Sequence, residues 1–158
     1  MDGKQLSKLK TGYSIRKAEI KDIKTCVKLA EQGSFEVDIA GFDEDHVFLL
    51  TKSIIKKGVG VVLCYEDNIV GYIGGVIQPH PYDPKFNILL TSSWYVTPSH
   101  RNYNSVLLLK NYIKEGKKKD IHIIRMQARL AKDPIDMTRL YERMGFECTE
   151  IAFEMDVA

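Results

Sequence analysis

Two short segments carry the residues best suited to chemistry. The first runs Trp94-Tyr95-Val96-Thr97-Pro98-Ser99-His100-Arg101, an apolar strand that gives way to a helical pattern. The first amides of a helix lack internal partners, and the helix dipole is positive there. A strand ending in Pro-x-x-Arg at a helix start therefore predicts an anion cradle. The second segment, Leu140-Tyr141-Glu142-Arg143-Met144-Gly145-Phe146, puts a tyrosine on a late helix that stops at a glycine. A phenol so placed could hand a proton to a leaving group.

The elements that must position these residues follow from hydrophobic period. Tyr13-Ser14-Ile15-Arg16 alternates like a strand, and Ile20, Ile23, Val27 and Ala30 recur at helical spacing after Glu19 and Asp22. A second helix follows Asp43-Glu44-Asp45, with Val47, Leu50, Ile54 and Ile55 on one face and Gly58 as its stop. The period then changes. Val59 to Tyr65 and Ile69 to Ile77 are β-branched runs joined by Glu66-Asp67-Asn68, a hairpin signal. Pro79, Pro81 and Pro84 predict a long turn before a third strand from Ile88 to Val96. Val106, Leu109 and Ile113 predict a helix ending near Gly116; Ile121 to Arg129 reads as a strand. Met137, Leu140, Tyr141 and Met144 predict the last helix, and Glu147 to Val157 a final strand. Residues 1–11 are polar and read as a loose tail before one domain spanning 12–158.

The resulting order, β-α-α-β-β-β-α-β-α-β, together with the two segments above, resembles the GNAT N-acetyltransferase superfamily. Ile15-Arg16-Lys17-Ala18-Glu19-Ile20-Lys21-Asp22 also looks like the first strand-to-helix turn of these proteins, with Arg16 and Asp22 in structural roles. The resemblance covers nearly the whole chain. It implies an α/β (α+β) single-domain GNAT-like fold, with a central mixed, mostly antiparallel sheet flanked by helices. Ser93-Trp94-Tyr95-Val96, Pro98-Ser99-His100-Arg101 and Leu140 to Phe146 look most like small acetyltransferases encoded by phages and prophages.

The resemblance implies an acyl-CoA-dependent N-acyltransferase with acetyl-coenzyme A (acetyl-CoA) as co-substrate. The family's phosphate-binding pattern, Arg/Gln-x-x-Gly-x-Gly/Ala, falls on Arg101-Asn102-Tyr103-Asn104-Ser105-Val106. Asn104 and Val106 stand where the family has small residues. Asn104 is expected to keep a left-handed turn, while the branched Val106 limits how closely phosphate oxygens approach. In resembling enzymes the preceding strand splays from its neighbour. Its backbone, here that of Trp94, Tyr95 and Val96, holds the pantetheine arm and polarises the thioester carbonyl. Tyr141 is implied as the proton donor to the departing thiolate. Many relatives carry a glutamate base where this chain has Thr91-Ser92-Ser93, none of which is a base near neutral pH. His80, Glu36, Asp38 and Asp43 are the candidates elsewhere, each also readable as a solvated loop residue. His100 stands beside the cradle, and His122 and Trp94 read as structural. Asp133 or Asp136 would cap the last helix.

Composition bounds the alternatives. At 158 residues, 44% apolar and 28% charged with net charge +2, the chain fits one soluble core and argues against nucleic-acid binding by bulk charge. Lys117-Lys118-Lys119 reads as a solvated helix end. Cys26, Cys64 and Cys148 lie in apolar-periodic segments and read as buried reduced thiols, which with no signal-peptide pattern predicts a cytoplasmic protein. No stretch nears the ~20 apolar residues of a membrane span. Partners implied are a small-molecule or protein amine acceptor and, by likeness, a homodimer, with no membrane and no metal. The acceptor stays open, since loops 33–45 and 79–87 would select it. A catalytically silent GNAT-like binding or structural module is the rival reading.

Overall fold

Glu66 and Asp67 both adopt positive φ, 48° and 61°, in the two-residue turn that joins two antiparallel strands. That geometry matches the twist of a hairpin, so the turn sets the register of the sheet around it. The computed structural model describes residues 9–37, 41–128 and 137–158. Along it run β1 (Tyr13–Lys17), α1 (Ile23–Glu36), α2 (Glu44–Lys57), β2 (Val59–Tyr65), β3 (Asn68–His80), β4 (Asp83–Val96), α3 (Tyr103–Gly116), β5 (Ile123–Arg125) and α4 (Met137–Arg143). The chain divides into two compact units, 1–126 and 127–158.

The first unit is a five-stranded sheet in the order β1-β2-β3-β4-β5, with antiparallel pairs except for the parallel β4–β5 pair. Side chains alternate across it. Val62, Cys64 and Tyr72 face α1, packing with Cys26 and Leu29. Gly75 lies on the α3 side: a Cβ there would meet the Tyr112 hydroxyl at 2.2 Å, so glycine lets Tyr112 lie flat on the sheet. Helix α1 starts later than the spacing predicts. Ile20 sits in a 3-10 turn and is 50% exposed, and the buried stripe is Ile23, Cys26, Val27 and Leu29. At the entry to α1, Asp22 accepts from Arg16 at 2.6 and 3.1 Å and from the Glu19 amide at 2.7 Å. Burial opposes ionisation of Asp22, but these donors together hold its carboxyl below the usual range.

Three expectations are corrected. The prolines do not make a long turn: β3 and β4 run on to His80 and Asp83, around a tight turn at Pro81 and Tyr82. A register shift between Pro79 and His80 accommodates residues that cannot donate to the ladder. The fifth strand spans Ile123–Arg125; residues 121, 122 and 126–128 of the expected Ile121 to Arg129 are not in it, and Arg129 lies outside the described residues. The final strand, Glu147 to Val157, is not formed: residues 147–158 carry no regular structure. Alternation alone cannot make a strand without a partner ladder, and Ile151, Phe153, Met155 and Val157 are 75–93% exposed. Cys26 and Cys64 are buried as expected; Cys148 is exposed. Residues 1–8 of the expected tail lie outside the described residues, and no described helix is long and apolar enough to cross a membrane.

Candidate functional site

Strand β4 changes character along its length. From Ile88 to Leu90 it is paired on both sides, with β3 and with β5. From Thr91 to Val96 its ladder continues on β3, while no described strand pairs with it on the other side. Ser92 bulges out where the register slips between Gly74–Ser93 and Gly75–Thr91. A bulge re-aims the strand beyond it, and the released backbone groups need other partners. The Thr91 hydroxyl lies 3.0 Å from the Tyr112 hydroxyl and 3.0 Å from the Met126 sulfur, which places it in structure rather than in base chemistry. Trp94 is half-buried; Tyr95 and Val96 are buried.

Beyond Val96 the chain turns tightly into α3. The Thr97 amide donates to Val70 O, and a 3-10 turn over Pro98–His100 is closed by Arg101 N donating to Pro98 O. Asn102 is the N-cap of α3. Its Oδ1 accepts from the Asn104 amide at 2.8 Å, and its carbonyl accepts from the Ser105 amide at 2.9 Å. The left-handed turn expected at Asn104 is absent, because Asn104 is the second residue of α3. Its side chain goes inward: the residue is fully buried, and Oδ1 accepts from the Lys10 amide at 3.3 Å. Asn104 Nδ2 and Ser105 Oγ, both buried, have no hydrogen-bond partner among the described residues. Tyr103 and Val106 are half-buried on the same turn.

Arg101 is held on several sides. Its Nε donates to Val96 O at 2.7 Å, one terminal nitrogen donates to both Glu36 oxygens at 2.8 and 2.6 Å, and its guanidinium lies 5.1 Å over the Tyr95 ring. The Tyr95 hydroxyl donates to Glu36 Oε1 at 3.0 Å. Desolvation and the bond to Glu36 push the Tyr95 phenol pKa up. The end of α1, the end of β4 and the start of α3 are thus tied through one carboxylate. Sequence reasoning named Glu36 only as a candidate base, because its partner lies 65 positions away. No local signal announces such a pairing.

The other expected groups separate. His100 Nδ1 is 2.7 Å from the Tyr13 hydroxyl, within a cluster of Tyr13, Tyr65 and His100 rings. Asp43 caps α2, accepting from the His46 amide at 2.8 Å. His80 and His122 flank Phe86, at ring distances of 5.8 and 4.5 Å. His122 also accepts from the Asn87 amide at 3.1 Å, a structural role. Asp38, Asp133 and Asp136 lie outside the described residues.

In the second unit, α4 ends in a Schellman turn: Gly145 has φ +89°, its amide donates to Glu142 O, and Phe146 N donates to Tyr141 O. Tyr141 packs against the Phe146 ring at 5.7 Å and donates to Gln127 O at 3.2 Å. Burial pushes its phenol pKa up to about 12, so it keeps its proton at any physiological pH.

This architecture recurs in solved structures. A possible acetyltransferase from Clostridium difficile 630 is 24% identical, with 92% of this chain and 98% of that one covered at a TM-score of 0.68. A predicted acetyltransferase from Clostridium acetobutylicum, solved with acetyl-CoA, is 18% identical, with coverage of 92% and 96% and a TM-score of 0.71. A protein described as an acetyl transferase from Pyrococcus furiosus is 17% identical, with coverage of 92% and 99% and a TM-score of 0.71. These likenesses establish the fold. No curated protein matches the sequence significantly. The model of the acetyltransferase (GNAT) family, whose co-substrate is acetyl-CoA, matches residues 27–146. The chain therefore belongs to the GNAT acetyltransferase family.

Proposed function

We propose that this protein transfers an acyl group, acetyl in the first instance, from coenzyme A directly to an amine. The observation that carries this reading is the half-released β4, which leads through one 3-10 turn into the capped start of α3. Bound acetyl-CoA would supply a thioester already activated towards nucleophiles. The backbone of Trp94, Tyr95 and Val96 would hold the donor's arm and polarise its carbonyl. The start of α3, Arg101 to Val106, would hold the diphosphate. The side chain of Asn104 leaves the cradle's mouth clear by turning into the core. Asn102 Oδ1 already places an oxygen on the Asn104 amide. A phosphate oxygen can replace it at the loss of a cap worth about 1 kcal/mol.

The amine nitrogen attacks the carbonyl carbon; a C–N bond forms as the C–S bond breaks. Tyr141 protonates the departing sulfur and is reprotonated from water, while the new amide's excess proton leaves to solvent. Burial keeps the phenol protonated between turnovers and also makes it a weaker acid than an ordinary tyrosine. The acceptor is an amine on a small molecule or a protein. The likeness of the cradle and of Leu140 to Phe146 to phage-encoded acetyltransferases belongs to this same reading.

A release assay for coenzyme A thiol against a panel of amines tests it. Thiol should appear above the hydrolysis background with at least one amine, and Tyr141→Phe should lower kcat about 100-fold. Equal rates in wild type and Tyr141→Phe would remove the proton-donor role.

A silent binding module is favoured by one observation: Arg101 and the Asn104 amide already have internal partners. Thermal unfolding with coenzyme A separates the two. Ligand at 100 times its Kd adds about 2.7 kcal/mol of stability, and no shift at millimolar ligand would favour the module.

A further inference from the structure

Arg101 opens the cradle, yet its charge is spent before any ligand arrives. One terminal nitrogen is shared between both Glu36 oxygens at 2.6 and 2.8 Å. Charge-assisted hydrogen bonds of this kind are also what a guanidinium offers to phosphate oxygens. Asn102 Oδ1 does the same for the Asn104 amide at 2.8 Å. The start of α3 is therefore filled by oxygens of the chain itself, a carboxylate at Arg101 and a carboxamide at the first turn.

We propose that Glu36 is an internal counter-anion that occupies Arg101 in place of the acyl donor's diphosphate, so that the donor must break the Glu36–Arg101 pair to bind. This rests on the acyl-CoA reading above. The geometry makes the exchange easy. Both side chains are about one-third exposed or more, 34% for Arg101 and 41% for Glu36, so water can solvate each charge as they part. Arg101 does not swing free when the pair opens, because Nε stays on Val96 O at 2.7 Å and the Tyr95 ring lies beneath it. Nor is Glu36 orphaned, since the Tyr95 hydroxyl still donates to it at 3.0 Å. The donor thus meets a preset cation at Arg101 but must displace an anion to use it. Glu36 is a positioning residue that weakens the grip on the donor, which favours release of spent coenzyme A.

Calorimetric titration with coenzyme A, and separately with inorganic pyrophosphate, tests the latch. Glu36→Gln keeps an oxygen for Tyr95 and removes only the charge. It should bind roughly three- to fivefold tighter than wild type, the gain expected from losing one half-exposed ion pair. Arg101→Gln should bind about tenfold weaker, since a charge-assisted phosphate contact goes. In the Arg101→Gln background, Glu36→Gln should give no gain. Unliganded melting curves check that each variant folds, and Glu36→Ala replaces Glu36→Gln if that one does not. Unchanged or weaker binding by Glu36→Gln, with wild type binding normally, overturns the latch alone. So does an equal gain with and without Arg101. If no protein binds coenzyme A at millimolar concentration, the acyl-donor reading falls and the latch with it.

Discussion

Arg16–Asp22 and Arg101–Glu36 are the same ion pair built at two strand-to-helix junctions. The arginines are equally accessible, 35% and 34%, whereas the carboxylates differ: 5% exposed for Asp22 and 41% for Glu36. Asp22 also accepts from the Glu19 amide at 2.7 Å, inside a capping box that launches α1. Among the described residues, Glu36 accepts from the side chains of Tyr95 and Arg101. Desolvation of the carboxylate makes the first pair a fixed piece of architecture, since Asp22 without Arg16 would be a buried charge. Partial hydration makes the second exchangeable. Burial of the anion separates the fixed pair from the exchangeable one.

That contrast can be broken in four ways. Asp22→Ala takes from the Arg16 guanidinium its acceptor at 2.6 Å and from the Glu19 amide its acceptor at 2.7 Å, and should cost about 3 kcal/mol in urea unfolding. A loss under about 1 kcal/mol would make the two pairs equivalent. Acid titration sharpens the point. Because the folded carboxyl of Asp22 has a lowered pKa, its stabilising contribution is complete above the ordinary aspartate range. It is lost as pH falls through the lower folded value. Asp22→Asn should therefore show a shallower acid limb than wild type when urea midpoints are followed from neutral to strongly acid solution. Glu36→Ala should cost no more than about 1 kcal/mol in the same unfolding assay, screening and hydration having already weakened that pair. The smallest effect is that of salt: raising it to molar levels should shrink the Glu36→Ala difference towards zero while leaving that of Asp22→Ala nearly intact.

Much of the first unit was legible because its signals are local. The β-branched run from Val59 to Tyr65, the acidic start and Gly58 stop of α2, and Glu66-Asp67 at the hairpin are all read within a few residues. The helix start after β4 was legible for the same reason: an N-cap follows a strand and a 3-10 turn. Its wiring was not. The partner of Arg101 lies on another helix, and the side chain of Asn104 turns inward towards the Lys10 amide, 94 positions away. Where pattern misled, a tertiary requirement decided. Pro79 and Pro84 sit in a hairpin arm that tolerates lost donors, and the alternation from Ile151 to Val157 found no ladder to join. Val106 is half-buried on the first turn of α3.

The most direct test of the whole account is backbone amide NMR of the isotope-labelled protein as coenzyme A is added. The account predicts that the largest shifts fall on Asn102, Tyr103, Asn104, Ser105 and Val106, with further shifts along Trp94 to Val96. Saturating ligand that leaves those amides unmoved while others shift would contradict it.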